Sequence, residues 1–560
     1  MEIVQFIMVL ALFIIIILPF GRYLYSVITG DASFVDPVMD KIDGFIYKIC
    51  GIKREEMDWK TYAIALIVTN IIMCVVGAVI LGIQGINFFN PNGIKSMNAS
   101  LNYNTITSFI TNTNLQHYSG ESGLSYLSQM LVIIFMMFTS GATGLSIAGA
   151  FMRGFTRSKK TVGNFFVDLT RVITRILIPL SIVVSIVLIC QGVPQSLSPN
   201  KKVTTIEGRV QNIALGPVAA LESIKHLGTN GGGFFGANSS HPFENPTPFT
   251  NLVEMLSMMI IPGGLIFAFG HMCKNKKQAW ALFTAVSILF LASLSVCYSA
   301  EKAGNPLIAN MGINQSMGNM EGKEVRFGVA GSSIFTTVTT AFTTGSVNNM
   351  HDSLTPIGGL IPLWQMMLNT VFGGEGVGFM NIIMYAVLTV FLCGLMVGRT
   401  PEFLGKKIEA KEVKLVALVI LIHPLIILIP SSIALISRVG VSSITNGGFH
   451  GLSQVLYEFT SSAANNGSGF EGLVDNTLFW NVSTGTVMLL GRYLSMIILL
   501  AVSASVSSKK LVPNSSSTFK TDNSMFTIML IFIILIIGAL TFLPAIALGP
   551  ISEYLTMIKI

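Results

Sequence analysis

The chain has 560 residues, of which 51% are hydrophobic and only 11% are charged, and its mean hydropathy is +0.69. Soluble domains have about 25% charged residues, so a soluble multidomain enzyme is excluded. The net charge of +7 comes from basic residues in short segments between apolar runs. Such segments are typical of membrane-protein loops rather than of a face that binds nucleic acid.

Ten apolar runs are long enough to cross a bilayer core of about 30 Å. In chain order they lie near residues 3–25, 61–83, 124–151, 172–192, 250–271, 279–298, 377–398, 413–437, 477–505 and 525–547. The first run begins at Met1-Glu2, without the basic residues of a secretory signal. We therefore expect it to be retained as a helix.

Basic residues follow alternate runs and therefore lie on one side of the membrane, which should be the cytoplasm. Examples are Arg153 after the third run, Lys276 after the fifth, Arg399 after the seventh and Lys509 after the ninth. This pattern predicts that the N-terminus and the C-terminus both lie outside.

Four of the outer loops share a pattern, a moderately apolar stretch of helical length that ends in a polar run. The stretches lie at residues 104–110, 218–227, 333–342 and 453–462. The polar runs are Thr111-Asn112-Thr113-Asn114, Thr229-Asn230-Gly231-Gly232-Gly233, Thr343-Thr344-Gly345-Ser346 and Asn465-Asn466-Gly467-Ser468. One such run alone is more often an ordinary turn. With Asn112, Asn230, Thr344 and Asn466 as markers, however, the intervals are 118, 114 and 122 residues, which is typical of an internal repeat.

We therefore predict an all-α polytopic membrane protein with about ten transmembrane helices. Four span–pore–span repeats would surround a channel-like selectivity filter. The predicted limits are 1–60 for the first helix and a cytoplasmic segment, 61–152, 153–275, 276–400 and 401–508 for the repeats, and 509–560 for the last helix and C-terminus.

The physics of such a repeat favours a cation. A half-helix that enters from outside points its C-terminal carbonyls, with about half a negative charge, at the pore axis. A following strand with Gly or Asn can adopt positive φ and turn its carbonyls inward, and four such strands can replace the hydration shell of an ion. An anion site would need helix N-termini or basic side chains, and none of the four polar runs contains Lys or Arg. A dehydrated monovalent cation is the expected guest.

Other features leave alternatives open. Glu121, Asp352 and Glu471 follow three of the polar runs and could form an anionic vestibule or be ordinary loop carboxylates. A glycine-rich stretch at 373–378 should interrupt the span after the third filter; the alternative is an ordinary loop that joins an amphipathic segment to the span.

His351-Asp352 resembles an acid/base pair and raises the alternative of a membrane-embedded hydrolase, but no catalytic motif accompanies it. The seven histidines and six cysteines are dispersed, which gives little support for a metal site or a disulfide. No P-loop and no D-K-T-G phosphorylation sequence is present. The chain therefore has no predicted nucleotide or catalytic site, and a partner or an ion gradient must energise transport.

Long motifs throughout the chain resemble those of KdpA, the potassium-binding subunit family of the bacterial Kdp potassium-transporting P-type ATPase. The motifs are Thr111-Asn112-Thr113-Asn114 with Gln116, Leu227-Gly228-Thr229-Asn230-Gly231-Gly232-Gly233-Phe234-Phe235, Asn238-Ser239-Ser240-His241-Pro242-Phe243-Glu244-Asn245-Pro246, Met350-His351-Asp352-Ser353, Gly398-Arg399-Thr400-Pro401-Glu402, Ser461-Ser462-Ala463-Ala464-Asn465-Asn466-Gly467-Ser468 and Ala545-Ile546-Ala547-Leu548-Gly549-Pro550. The resemblance implies high-affinity selection of K⁺ from outside, in the bacterial plasma membrane. It also implies partners: the ATP-hydrolysing subunit KdpB, KdpC, the small subunit KdpF and the lipid bilayer, without nucleic acid. A stand-alone, gradient-driven K⁺ transporter of the same superfamily is the alternative.

The resemblance also implies the site residues. Carried over by motif, the filter is Asn112, Thr113, Asn114; Thr229, Asn230, Gly231; Thr343, Thr344, Gly345; and Asn465, Asn466, Gly467. Gln116 matches a neighbouring position that influences K⁺ affinity, and K⁺ is expected to leave the filter laterally toward the ATPase subunit. Two departures stand out: many relatives read Ser-Cys-Gly at 343–345, and many carry Glu near Asn369, where this chain instead has Glu375 nearby.

Overall fold

The computed structural model describes residues 2–33, 35–86, 89–396, 398, 400–512 and 519–558; the motif residue Arg399 lies outside these ranges. Within them, ten helices are long and apolar enough to cross a membrane, which confirms the predicted fold class. In chain order the helices of ten or more residues are α1 (Glu2–Thr29), α2 (Asp36–Cys50), α3 (Trp59–Gly82), α4 (Ala99–Ile110), α5 (Tyr126–Thr156), α6 (Phe165–Cys190), α7 (Val218–Leu227), α8 (Pro248–Met272), α9 (Lys276–Ala303), α10 (Gly328–Ala341), α11 (Pro356–Leu368), α12 (Val377–Met396), α13 (Ala410–Ile436), α14 (Gly448–Ala464), α15 (Leu478–Ser507) and α16 (Ser524–Met557).

Three two-stranded antiparallel sheets lie in the loops. They pair β1 (Met57–Asp58) with β2 (Thr161–Gly163), β3 (Lys201–Thr204) with β4 (Val210–Ile213), and β5 (Glu402–Phe403) with β6 (Lys406–Lys407). Short helical turns lie at Gly120–Gly123, Pro306–Asn310 and Arg438–Val441, and 3₁₀ turns at Gln84–Ile86, Asn238–Ser240 and His351–Ser353.

The short helices α4, α7, α10 and α14, here called the pore helices, match the four predicted stretches. Each lies between two spans of its repeat, while α1 and α16 are additional; the residue limits of the repeats stay a prediction. Three of the four begin five residues earlier than predicted. For α4 the reason is a polar cap, since the side chain of Asn98 accepts a hydrogen bond from the Leu101 amide at 2.9 Å and satisfies a free helix donor.

The first helix packs closely along α8 because small residues face each other. A Cβ atom on Gly21 would lie 2.7 Å from the Phe267 Cβ and 2.9 Å from the Gly264 carbonyl oxygen. Close approach at glycine is the usual way for helices to associate in a membrane, where burial of apolar surface gives little advantage.

Charged residues inside two spans are neutralised by nearby acids. The fully buried Arg175 of α6 pairs with Asp36 at 2.8 Å, Asp40 at 2.5 Å and Asp43, all on the amphipathic helix α2. Arg153 of α5 pairs with Asp168. These pairs fix α2, α5 and α6 together, because an unpaired charge inside a span would be costly.

The predicted interruption after the third pore helix is present. Helix α11 ends at Leu368, followed by Asn369 in the left-handed region with φ of 45°, and α12 begins at Val377. The intervening residues 369–376 approach the ends of the pore helices, as shown by the hydrogen bond from the Gly373 amide to the Ala341 carbonyl at 2.8 Å.

Candidate cation filter

The segments that follow the four pore helices share one backbone hydrogen bond. In each, an amide bonds the carbonyl five residues earlier: Thr113 to Ser108 at 3.0 Å, Asn230 to Lys225 at 2.8 Å, Thr344 to Thr339 at 2.7 Å, and Asn466 to Ser461 at 3.0 Å. This bond aligns Thr113 with Asn230, Thr344 and Asn466. The predicted marker Asn112 therefore lies one residue early, because the first segment has Asn where two others have Thr before the aligned position.

The backbone of these filter segments (residues 112–114, 229–231, 343–345 and 465–467) is left-handed at its first residue. The angle φ is 65° at Asn112, 46° at Thr229, 50° at Thr343 and 56° at Asn465. A second left-handed residue follows at Asn114, Gly232, Gly345 and Gly467. A non-glycine residue with positive φ is strained, so its presence in all four repeats indicates that the surroundings hold the backbone in this shape.

The four segments meet at one place. A Cβ atom on Gly231 would lie 2.5 Å from the Thr113 carbonyl oxygen and 2.8 Å from that of Asn466. On Gly345 it would collide with the Asn466 carbonyl, on Gly467 with the Thr113 carbonyl, and both would lie 3.0 Å from the Gly231 Cα. Only residues without a side chain fit here, and backbone oxygens of different repeats lie beside one another.

Amide side chains of the filter segments bond to neighbouring segments. Asn112 donates to the carbonyls of Gly228 and Thr229, both at 3.0 Å. Asn230 donates to the side chain of Asn112 at 2.6 Å, and Asn465 donates to the Thr113 hydroxyl at 2.9 Å. These bonds bind one repeat to the next and hold the strained backbone.

Gln116 lies beside the first segment, as its motif predicts. Its side-chain oxygen accepts a hydrogen bond from the Gly233 amide at 2.8 Å. It thus fixes the end of the second segment that the sequence predicts to face outside, which is called the outer end below. The five asparagines and four threonines of the filter segments are no more than 6% exposed. The residue types, the burial and the pore-helix ends are of the kind that suits a positive ion without a counter-charge from a side chain.

A cavity at the outer end of the filter segments contains polar groups that sequence reasoning missed. Its lining includes Gln116, His117, Gly232, Gly345, Gly467, Glu471 and Asp475. His117 contacts Glu458 at 3.1 Å and the side chain of Asn481 at 2.7 Å. Because Glu458 and Asn481 are far from His117 in the sequence, the sequence did not predict this arrangement.

The three carboxylates considered for a vestibule serve mainly as hydrogen-bond acceptors. Glu471 accepts from the amides of His351 and Asp352 at 3.1 and 3.0 Å, and Glu121 from the Gly236 amide at 2.9 Å. The alternative that these are ordinary loop carboxylates is therefore favoured, although Glu471 also lines the outer cavity.

The suggested acid/base pair is not formed. His351 bonds the Tyr457 hydroxyl at 2.8 Å through Nδ1, whereas Asp352 pairs with His450 at 2.9 Å. The hydrolase alternative thus loses its one motif. His450 also pairs with Glu553 at 2.8 Å, and so connects α14, the turn after the third filter segment and α16.

At the inner end of the filter segments lies Glu375, within the interruption between α11 and α12. Its amide donates to the Thr229 hydroxyl at 2.8 Å. Its carboxylate is fully buried, and neither oxygen accepts a hydrogen bond from the residues that the structure describes. Arg492 lies nearby in a π-bulge of α15 at Leu490–Leu494 and donates to the Ser140 carbonyl at 3.2 Å. No periodic pattern in the sequence predicts that Arg492 is buried at this position.

Known proteins match the chain over nearly its full length. Residues 7–555 match the family model KdpA, "Potassium-transporting ATPase A subunit". The "Potassium-transporting ATPase potassium-binding subunit" of Clostridium acetobutylicum is 63% identical over 558 residues, covering 100% of both chains. Proteins of that name from Geobacillus kaustophilus and Caldanaerobacter subterraneus subsp. tengcongensis are 57% and 52% identical, over 99% and 98% of both chains respectively.

Among solved structures, the potassium transporter TrkH from Vibrio parahaemolyticus is similar with a TM-score of 0.53. It is 14% identical, and the alignment covers 87% of this chain and 97% of TrkH; at this identity the similarity concerns the fold alone. Ten spans with four short helices between them define a multi-pass membrane protein whose fold is similar to that of TrkH. Within that class, the chain belongs to the KdpA family of potassium-transporting ATPase A subunits.

The His450 bridge predicts a pH-dependent stability. Burial lowers the pKa of His450, but its bonds to Asp352 and Glu553 outweigh burial and raise it to about 10. This pKa exceeds the ordinary histidine value of about 6.5. The protonated histidine therefore stabilises the fold fully below about pH 6.5, and this stabilisation is lost as the pH rises through about 10. His450→Gln should lower the melting temperature by about 2 °C or more near pH 6, and should have little effect at a pH above the raised pKa.

Thermal unfolding of the detergent-solubilised protein at both pH values measures this difference. Glu553→Gln serves as the matched variant and should remove part of the same pH dependence. An equal loss for His450→Gln at both pH values would show that the histidine acts by packing and not by charge.

Proposed function

We propose that this chain is the potassium-binding and translocating subunit of an ATP-driven, high-affinity K⁺ uptake complex in the bacterial plasma membrane. It selects K⁺ from outside and passes it to a P-type ATPase subunit, KdpB, in a complex with KdpC and KdpF. The observation that carries this proposal is the convergence of four filter segments with the same hydrogen bond and the same left-handed start.

Selection of K⁺ follows from this convergence. Four sets of backbone oxygens around one axis can replace the hydration water of a monovalent cation. Carbonyls that are fixed in position favour an ion that they can contact without an inward movement of the backbone. The hydrogen bonds of the surrounding asparagine side chains resist such a movement. Because coordination is by the backbone, Thr343-Thr344-Gly345 in the third segment is compatible with K⁺ selection although many relatives read Ser-Cys-Gly.

The path beyond the filter supports transfer to a partner. The interruption at 369–376 lies across the inner end of the filter segments and stands between them and the cytoplasm. A cavity beside it is lined by Asn369, Asn381 and Asn465, and extends to His423 of α13 and Phe542 of α16. This lateral position fits an ion that leaves the filter sideways. Glu375 of the interruption would give the leaving cation a carboxylate to contact.

The source of energy separates the proposal from its alternative. The chain has no phosphorylation sequence or P-loop, and relatives with more than half of their residues identical are named as ATPase subunits. K⁺ uptake by cells that express the chain with and without the ATPase subunit distinguishes the two. Uptake without that subunit would support the gradient-driven transporter instead.

Gly231→Asp tests the filter. A side chain at this position would meet the carbonyl oxygens of Thr113 and Asn466 and add a carboxylate, so K⁺ affinity should fall at least about tenfold, or about 1.4 kcal/mol. The measurement is K⁺-stimulated ATP hydrolysis by the purified complex, with Na⁺ as the comparison ion.

Gly447→Asp is the matched control, because a Cβ atom there meets nothing within 4 Å and the φ of −73° suits a residue with a side chain; it should leave the K⁺ affinity unchanged. Equal stimulation of the wild-type complex by Na⁺ and K⁺ would contradict the selectivity. Unchanged K⁺ affinity in Gly231→Asp would contradict the filter assignment.

Glu375→Gln tests the inner end of the path. The amide bond to Thr229 involves the backbone and survives, so K⁺ affinity should change less than about threefold. The leaving ion loses its counter-charge, and K⁺ turnover at saturating concentration should fall about fivefold or more. The same substitution at the hairpin residue Glu207 is the control. Wild-type turnover in Glu375→Gln would remove this carboxylate from the path.

A further inference from the structure

A second group of charged residues lies behind the filter, fully buried between α7 and α8. Glu222, Lys225 and His226 project from α7, Glu244 from the following loop and Glu254 from α8. All five side chains are 0% exposed. Nothing in the ion path described above uses them.

The charges of this group do not balance. Lys225 contacts Glu222 at 2.6 Å and Glu244 at 2.9 Å, so a single ammonium faces three carboxylates. Arg326 is the next cation, and its guanidinium is engaged by Glu324 and by backbone carbonyls such as that of Asn245 at 3.1 Å. Ionised, the group would keep two uncompensated negative charges, which is a large cost in a buried site.

Several ligand atoms in the group are free. Oε1 of Glu222 and both oxygens of Glu254 accept no hydrogen bond from any described residue. His226 Nδ1 lies 2.8 Å from the Glu222 carbonyl; since a carbonyl can only accept, Nδ1 carries the proton. The lone pair is therefore on Nε2, which lies 3.3 Å from Glu254 Oε2. A backbone carbonyl on one ring nitrogen is the usual support of a metal-binding histidine.

The geometry suits a small metal ion. One ligand atom each from Glu222, His226 and Glu254 lie within 4.8 Å of one another. Bonds of about 2.0–2.1 Å in a tetrahedral site place neighbouring ligands about 3.3 Å apart, which is the separation between His226 Nε2 and Glu254 Oε2. The hydroxyl of Ser346, 2.9 Å from the same nitrogen, offers a neutral fourth ligand.

We propose that Glu222, His226 and Glu254 bind one divalent metal ion behind the filter. A divalent charge neutralises the two excess negative charges, which a monovalent ion would not. One imidazole and two carboxylates favour Zn²⁺ or a similar transition metal over K⁺ or Mg²⁺. The ion would join α7 to α8. Through Ser346, which follows the third filter segment, it would also join these helices to the filter. Nothing in the sequence predicted this site, because the histidines are dispersed and Glu254 lies on a different helix from Glu222 and His226.

Metal analysis of the purified complex tests the proposal. Cells are grown with added Zn²⁺ and Mn²⁺, the complex is isolated through a tag without histidine, and bound metal is measured by inductively coupled plasma mass spectrometry. The wild-type chain should retain about one equivalent of divalent metal after dialysis. Glu254→Gln and His226→Gln should each lower retention at least about tenfold.

His117→Gln is the matched control, because it alters the other cluster of one histidine and two carboxylates; its metal content should equal that of the wild type. A chelator should lower the melting temperature of the wild-type complex, and added Zn²⁺ should restore it. Wild-type protein without divalent metal after reconstitution with Zn²⁺ would overturn the proposal and indicate that protons balance the charges. Metal that persists in both variants would overturn it as well.

Discussion

In the proposed filter, backbone carbonyls that point into a pore at membrane depth have no donor of their own, and this constraint governs the rest of the molecule. An unsatisfied carbonyl is costly in a bilayer, whereas one that contacts a cation is stabilised. The filter segments must therefore be held open against their preference to form regular structure. The shared bond of Thr113, Asn230, Thr344 and Asn466 to the pore helices, and the asparagine bonds between repeats, do this.

Other parts of the fold follow from the same constraint. The interruption at 369–376 closes the inner end of the filter segments and places Glu375 there, while the outer end opens into the cavity beside Gln116. Charged side chains contact one another away from the axis, as in the acid pairs of Arg175 and in the buried group around Lys225. In the proposed function, a positive ion on the axis would meet mainly dipoles, with one carboxylate where it leaves.

The fold was largely predictable, because length and hydropathy determine which runs can span a bilayer and repetition reveals the pore helices. The interruption before Val377 was also predictable from its glycines. The partners of buried charges were not: His226 meets Glu254, and His450 meets Glu553, across long sequence distances. The one-residue error at Asn112 has a similar origin, since polar residues of like chemistry align in more than one way until a backbone hydrogen bond fixes the register.

The central claim is that four sets of backbone oxygens bind one dehydrated K⁺. Anomalous X-ray diffraction from crystals of the complex in Tl⁺, a heavy substitute for K⁺, tests it most directly. The account predicts a Tl⁺ peak on the axis between the carbonyls of Thr113, Asn230, Thr344 and Asn466, which is lost when K⁺ is added in excess. An axis without a peak, with Tl⁺ held elsewhere in the chain, would contradict it.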